Sequence, residues 1–123
     1  MTATKEELLA LAERVEGLDG PDREVELDIW RIFDPKSPDI EAMGKIPLPW
    51  LHNTTSSFDA AMTLVPKDEC WRVGHDADDP SGFMAQCSYT RSTAIMGFVV
   101  AYGPTPALAL TAAALRAQAE LVV

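Results

Sequence analysis

Few stretches of this 123-residue chain combine residue types that could do chemistry. The first is His75-Asp76-Ala77-Asp78-Asp79, one imidazole among three carboxylates. Such a set can ligate a divalent cation or act as an acid and base pair. The same residue types, followed by Pro80-Ser81-Gly82, are what a tight connection between strands requires for backbone reasons alone. The run also lacks the spacing and closing glutamate of a calcium loop. It is read as a turn, and no metal ligand is assigned.

The second stretch, His52-Asn53-Thr54-Thr55-Ser56-Ser57, sets hydroxyls beside a histidine. Nucleophilic catalysis needs a base, an orienting group and an oxyanion site that converge in space, which neighbours in sequence do not supply. Residues 54–57 are read instead as helix-capping hydroxyls. Cys87 has polar neighbours in Gln86 and Ser88, again with no convergent base. The chain contains no phosphate-binding glycine loop, dinucleotide fingerprint, HExxH or GxSxG. No catalytic residue and no cofactor is expected.

Cys70 and Cys87 are the only cysteines, without CxxC spacing, and both fall in apolar, strand-like stretches. Buried free thiols are expected. The three tryptophans point to binding more than to chemistry. Trp71, inside a strand-like run, is expected in the core. Trp50 lies in Pro47-Leu48-Pro49-Trp50-Leu51, where an aromatic among prolines can anchor an interface or pin its own loop.

The elements that must position these residues are read from periodicity and punctuation. Thr4 and Glu7 make a capping box, and Leu8, Leu11, Val15 and Leu18 follow at helical spacing until Gly17 and Gly20. A second segment opens with Gly20-Pro21-Asp22-Arg23-Glu24. Val25, Ile29, Ile32 and Phe33 fit a helix, while Val25, Leu27 and Ile29 alternate as in a strand. The proline and the acidic first turn favour the helix. Residues 34–56 hold four prolines and read as a long irregular connection. A short helix over 57–65 stops at Pro66. Strands are expected at 70–75, 83–89 and 95–102, joined by turns into an antiparallel meander. Thr105 as cap and Pro106 at the first position then open an Ala/Leu helix over 107–121, with Leu108, Ala112, Leu115 and Ala119 as its apolar stripe.

Hydrophobic residues make up 47% of the chain and charged ones 24%, ordinary values for one globular core. The net charge of −9 repels phosphate backbones and anionic lipid, and it favours a basic partner. No run of about 18 apolar residues and no basic-then-apolar start occurs, so neither a membrane span nor a signal peptide is expected.

Ser57-Phe58-Asp59-Ala60-Ala61-Met62-Thr63-Leu64-Val65-Pro66, then Trp71, then Gly103-Pro104-Thr105-Pro106-Ala107-Leu108-Ala109-Leu110 and Ala113-Ala114-Leu115-Arg116-Ala117 resemble the phage ABA sandwich domain family. Gly20-Pro21-Asp22-Arg23-Glu24 is similar to a helical segment of that family. The resemblance touches separated segments over most of the chain. It implies phage or prophage origin and a small antiparallel sheet packed between helices. It brings no catalytic signature and no ligand. The chain departs from the family pattern at residues 27–33 and in its proline-rich middle.

The expectation is therefore an α/β (α+β) single domain over residues 1–123: a three-stranded antiparallel sheet with helices on both sides. It is expected to be a non-enzymatic phage accessory protein of the bacterial cytoplasm that acts by binding a protein. In its sharper form it is an acidic inhibitor of a host defence protein. The interaction surface is assigned to Leu48 and Trp50 of the connection and to Asp76, Asp78, Asp79, Glu24 and Glu26. Direct contact with nucleic acid is not expected. Two other classes stay open. One is a small-ligand binder or nucleotide sponge, with Arg72 and Arg91 as the nearest phosphate partners. The other is a structural or regulatory phage component, with Leu121-Val122-Val123 as a surface for a homodimer.

Overall fold

A computed structural model describes residues 4–33, 55, 57–79, 82–92 and 95–122 of the chain. Helix α1 spans Lys5–Glu16. Its capping box is present: the Thr4 hydroxyl accepts from the Glu7 amide at 3.2 Å and donates to the Glu7 carboxylate at 3.3 Å. Leu8, Leu11, Ala12 and Val15 bury one side, and the Gly17 amide closes the last turn. The ambiguous second segment is helix α2, Arg23–Phe33. Asp22 decides it locally, because its carboxylate accepts from the Val25 amide at 3.0 Å and caps the first turn. Val25 and Ile29 are buried while Leu27 between them is only half-buried, which a helix produces and a strand, with all three on one face, does not.

Thr55 fastens this cap to a distant part of the chain. Its hydroxyl accepts from the Asp22 amide at 3.0 Å, and its own amide donates to the Glu26 carboxylate at 3.1 Å. Thr55 and Glu26 are both buried, so these bonds replace water that neither group can reach. The rest of the expected 34–56 connection, with Leu48, Trp50 and His52, lies outside the described residues. Helix α3 is the short Phe58–Met62, capped by the Ser57 hydroxyl.

The sheet follows the expected meander. Strands β1 (Trp71–His75), β2 (Phe83–Ser92) and β3 (Ile95–Gly103) pair antiparallel in the order β1-β2-β3. The last element, helix α4, spans Pro106–Leu121, with Thr105 capping it and Pro106 at its first position. The class is thus α+β, a three-stranded antiparallel sheet with four helices among the described residues.

The layering differs from the expected order. Helix α4 packs on all three strands, and α1 and α3 pack on α4. Residues 107–115, with Ala117 and Ala119, are buried right round the helix, far beyond the expected stripe. A helix apolar on every side belongs in the middle of a structure. Among the described residues α4, not the sheet, is the filling. Alanine makes this feasible, because a small side chain lets a helix approach neighbours on two sides at once. Ion pairs and polar contacts clamp its outer end. Arg116 binds Glu16 of α1, Gln118 donates to the Leu64 carbonyl at 2.8 Å, and Arg91 of β2 binds Glu120.

Candidate interaction surface

Side chains alternate between the two faces of a strand, so the register fixes what each face carries. Toward α4 point Val73 of β1, Phe83, Ala85, Cys87 and Tyr89 of β2, and Gly97, Val99, Ala101 and Gly103 of β3. Its middle rows, with Ala85, Cys87, Val99 and Ala101, are small or medium and matched to an alanine-rich helix, while the large Phe83 and Tyr89 each stand opposite a glycine. The opposite face aligns Arg72, Gln86 and Val100 in one row and Gly74, Met84 and Tyr102 in another. Ser88 stands beside Phe98, and Thr90 beside Met96. Its large apolar members face solvent: Phe98 is 71% exposed, Met96 64%, Tyr102 48% and Val100 39%. A soluble protein seldom leaves such a contiguous set uncovered unless it meets something there.

The relief of this face is uneven. Beside the Phe98 ring lies a hollow of about 330 Å³, bounded by Cys70, Trp71, Arg72, Gln86 and Phe98. A second depression of about 280 Å³ runs over Gly74, between Arg72 and Met84. Gly74 has no atom near where a Cβ would stand. None of the strand residues is a carboxylate. Glu69 is held at the rim by the Ser88 hydroxyl. Aromatic rings on an open sheet can stack bases, but such platforms work with a basic groove for the phosphates. Here Arg72 is the one cation of the rows, and Arg91 is engaged by Glu120. The face suits an apolar, neutral surface better than a phosphate chain.

The expected site residues are scattered. Asp78 and Asp79 are exposed in the β1–β2 turn, and Asp76 is half-buried. The Asp76 carboxylate accepts from the Asp78 amide at 2.9 Å, the Asp76 amide donates to the Gly82 carbonyl, and the Gly82 amide donates to the Asp79 carbonyl. These residues shape the turn, as aspartates commonly do. His75 stacks on Phe83 at 5.0 Å. Among the described residues no three metal-ligating side chains converge. Glu24 is exposed on α2, whereas Glu26 is only 4% exposed and bonded to Thr55. Glu26 is thus a buried acceptor, not part of a charged surface. It lies one turn from Asp22, on the side of α2 that Thr55 closes.

Two further expectations change. Trp71 is not core: it starts an edge strand, rests edge-on against Phe58 at 5.3 Å and keeps 37% exposure. Cys70 is exposed, because it precedes β1 at the rim, while Cys87 is buried. Burial raises the Cys87 thiol from 9.0 to about 11, with smaller contributions from Glu69 and Cys70. Cys87 therefore stays protonated at neutral pH and is no nucleophile. A raised pKa means that the folded state holds this proton more tightly than the unfolded one. Its contribution to stability is complete below pH 9 and is lost as pH rises to about 11. Urea unfolding of wild type should weaken across that window more than that of Cys87→Ala; equal pH profiles would contradict the assignment.

The residues missed from sequence are Met96, Phe98, Val100 and Tyr102. The signal was present in Ile95-Met96-Gly97-Phe98-Val99-Val100-Ala101-Tyr102, where size, not polarity, alternates. From Met96 on, large residues occupy the even positions and smaller ones the odd, except where Val99 and Val100 are equal in size. Comparison with models of known protein families, with curated proteins and with solved structures returns no match. Among the described residues no helix is long and apolar enough to cross a membrane.

Proposed function

We propose that this chain is a phage-type accessory protein that works by binding another protein, and that the open face of its sheet is the surface it uses. The observation that carries this is the exposure of Met96, Phe98, Val100 and Tyr102 on the side of the sheet opposite the one that buries Ala85, Cys87 and Ala101. Its resemblance to small phage proteins supplies the setting, the cytoplasm of a bacterial host. The exposed acidic turn with Asp78 and Asp79 can meet a basic partner as a secondary contact. A small-ligand role is less well supported, because the hollow beside Phe98 is open and offers Arg72 alone for an anion.

Affinity capture from a bacterial lysate, with an untagged copy of the chain co-expressed, tests the proposal. Wild type and Phe98→Asp are compared by mass spectrometry of what elutes. The expected result is a stoichiometric protein held by wild type and lost from Phe98→Asp. Identical eluates from the two would overturn the open face as the binding surface. Loss on charge reversal at Asp78 and Asp79, with Phe98→Asp unaffected, would move binding to the turn.

A further inference from the structure

The open face is self-complementary in charge and relief, and we infer that a second copy of this chain covers it, the two sheets packing face to face about a twofold axis. The inference rests on the proposal that this face binds protein, and it names the partner. Its exposed apolar row, Met96, Phe98, Val100 and Tyr102, runs along the whole of β3. Beside this row lie the polar Arg72 of β1 and Gln86, Ser88 and Thr90 of β2, groups of the kind that interfaces bond across the contact.

Charge selects the same face. Two copies of a protein with net charge −9 repel one another over most of their surfaces. The rows of this face carry no carboxylate, and Glu69 at its rim is bonded to the Ser88 hydroxyl, so copies meeting here oppose fewer acidic groups than they would through α1 or α2. Relief then fixes the fit. Phe98 projects beside a hollow whose other walls are Trp71, Arg72 and Gln86. A twofold axis through the sheet lets each Phe98 enter the partner's hollow, the reciprocal contact that an isologous interface requires. Stacked sheets lie about 10 Å apart, a separation filled by side chains of this length. Edge-to-edge pairing through β3 would leave Phe98 and Met96 in water, so it does not account for the exposed surface.

Sedimentation of the full chain between about 1 and about 200 μM tests the inference, because a dimer dissociates on dilution. Twice the chain mass of 13.4 kDa is expected at the upper end. Phe98→Asp should weaken association at least about 30-fold, as removal of a central aromatic anchor does. Phe98→Ser serves where the aspartate variant does not show wild-type circular dichroism. A second readout uses Cys70, exposed at the rim of the hollow. Its reaction with a thiol reagent should slow as wild-type concentration rises, and should not slow in the Phe98 variant. A wild-type chain that sediments at 13.4 kDa throughout overturns the inference, as does a dimer indifferent to Phe98. If wild type is monomeric yet captures a different protein through Phe98, the second copy is wrong and the binding role of the face stands. If neither association depends on Phe98, both fail.

Discussion

Leu115→Ala is expected to lower the unfolding free energy by about 2–5 kcal/mol, measured by urea denaturation at neutral pH. Leu115 is fully buried on α4 and belongs to the helix on which sheet, α1 and α3 all pack. Truncation removes three methylene-equivalents from a fully buried site in an alanine-rich helix. Alanine has no rotamers with which to refill a cavity, so the upper half of the range is expected. On a helix packed on one side only, the surrounding chain could settle into the space. Here settling toward the sheet draws α4 away from α1, and the reverse. A loss below about 1 kcal/mol, the scale of an ordinary surface change, would show that α4 does not occupy the centre.

The second large effect is expected at Gly103, where β3 gives way to α4. A Cβ built on Gly103 would stand 2.9 Å from the Ala109 amide nitrogen and 3.2 Å from the Leu108 carbonyl carbon. These are backbone atoms of a helix held on both sides, so they cannot step aside as a flexible side chain would. Gly103→Ala should cost about 1–3 kcal/mol through overpacking. Gly74→Ala is the control, since a Cβ there meets nothing within 4 Å. The two variants make the same chemical change, so differential scanning calorimetry compares geometry alone. Equal melting temperatures would remove the close approach as a constraint on the strand-to-helix corner.

The elements were legible where a local signal fixes them. The Thr4 and Glu7 capping box and the Thr105-Pro106 helix start act within a few residues, and each is found where it was read, whereas Thr90, Arg91 and Ser92, read as turn residues, continue β2. Helix α2 was ambiguous because Val25, Leu27 and Ile29 satisfy both periods. The burial of Val25 and Ile29, with Leu27 only half-buried, resolves it. What periodicity could not show was which elements touch which. An alanine-rich helix reads alike whether it caps a sheet or fills the space between two layers, because polarity does not distinguish the cases. The same blindness hid the open face. A continuous apolar run looks like a buried strand, and only the alternation of large with small residues along β3 separates inside from outside. Glu26 was misplaced for the opposite reason. Its charge suggested surface, and its partner Thr55 is twenty-nine positions away.

The central place of α4 bears on how the chain reaches this structure during synthesis. α1, α2, α3 and the whole sheet precede α4 in the chain, so each emerges from the exit tunnel before the helix that joins them. The β2–β3 hairpin is local and can form early, yet at that stage its α4 side is bare while Met96, Phe98, Val100 and Tyr102 stand exposed on the other. Until α4 follows it out, the hairpin is a ribbon with apolar groups on both sides, the kind of species that holdase chaperones bind. Arrested nascent chains should therefore gain protease resistance in one late step, when residues up to about 121 have cleared the exit tunnel, rather than element by element.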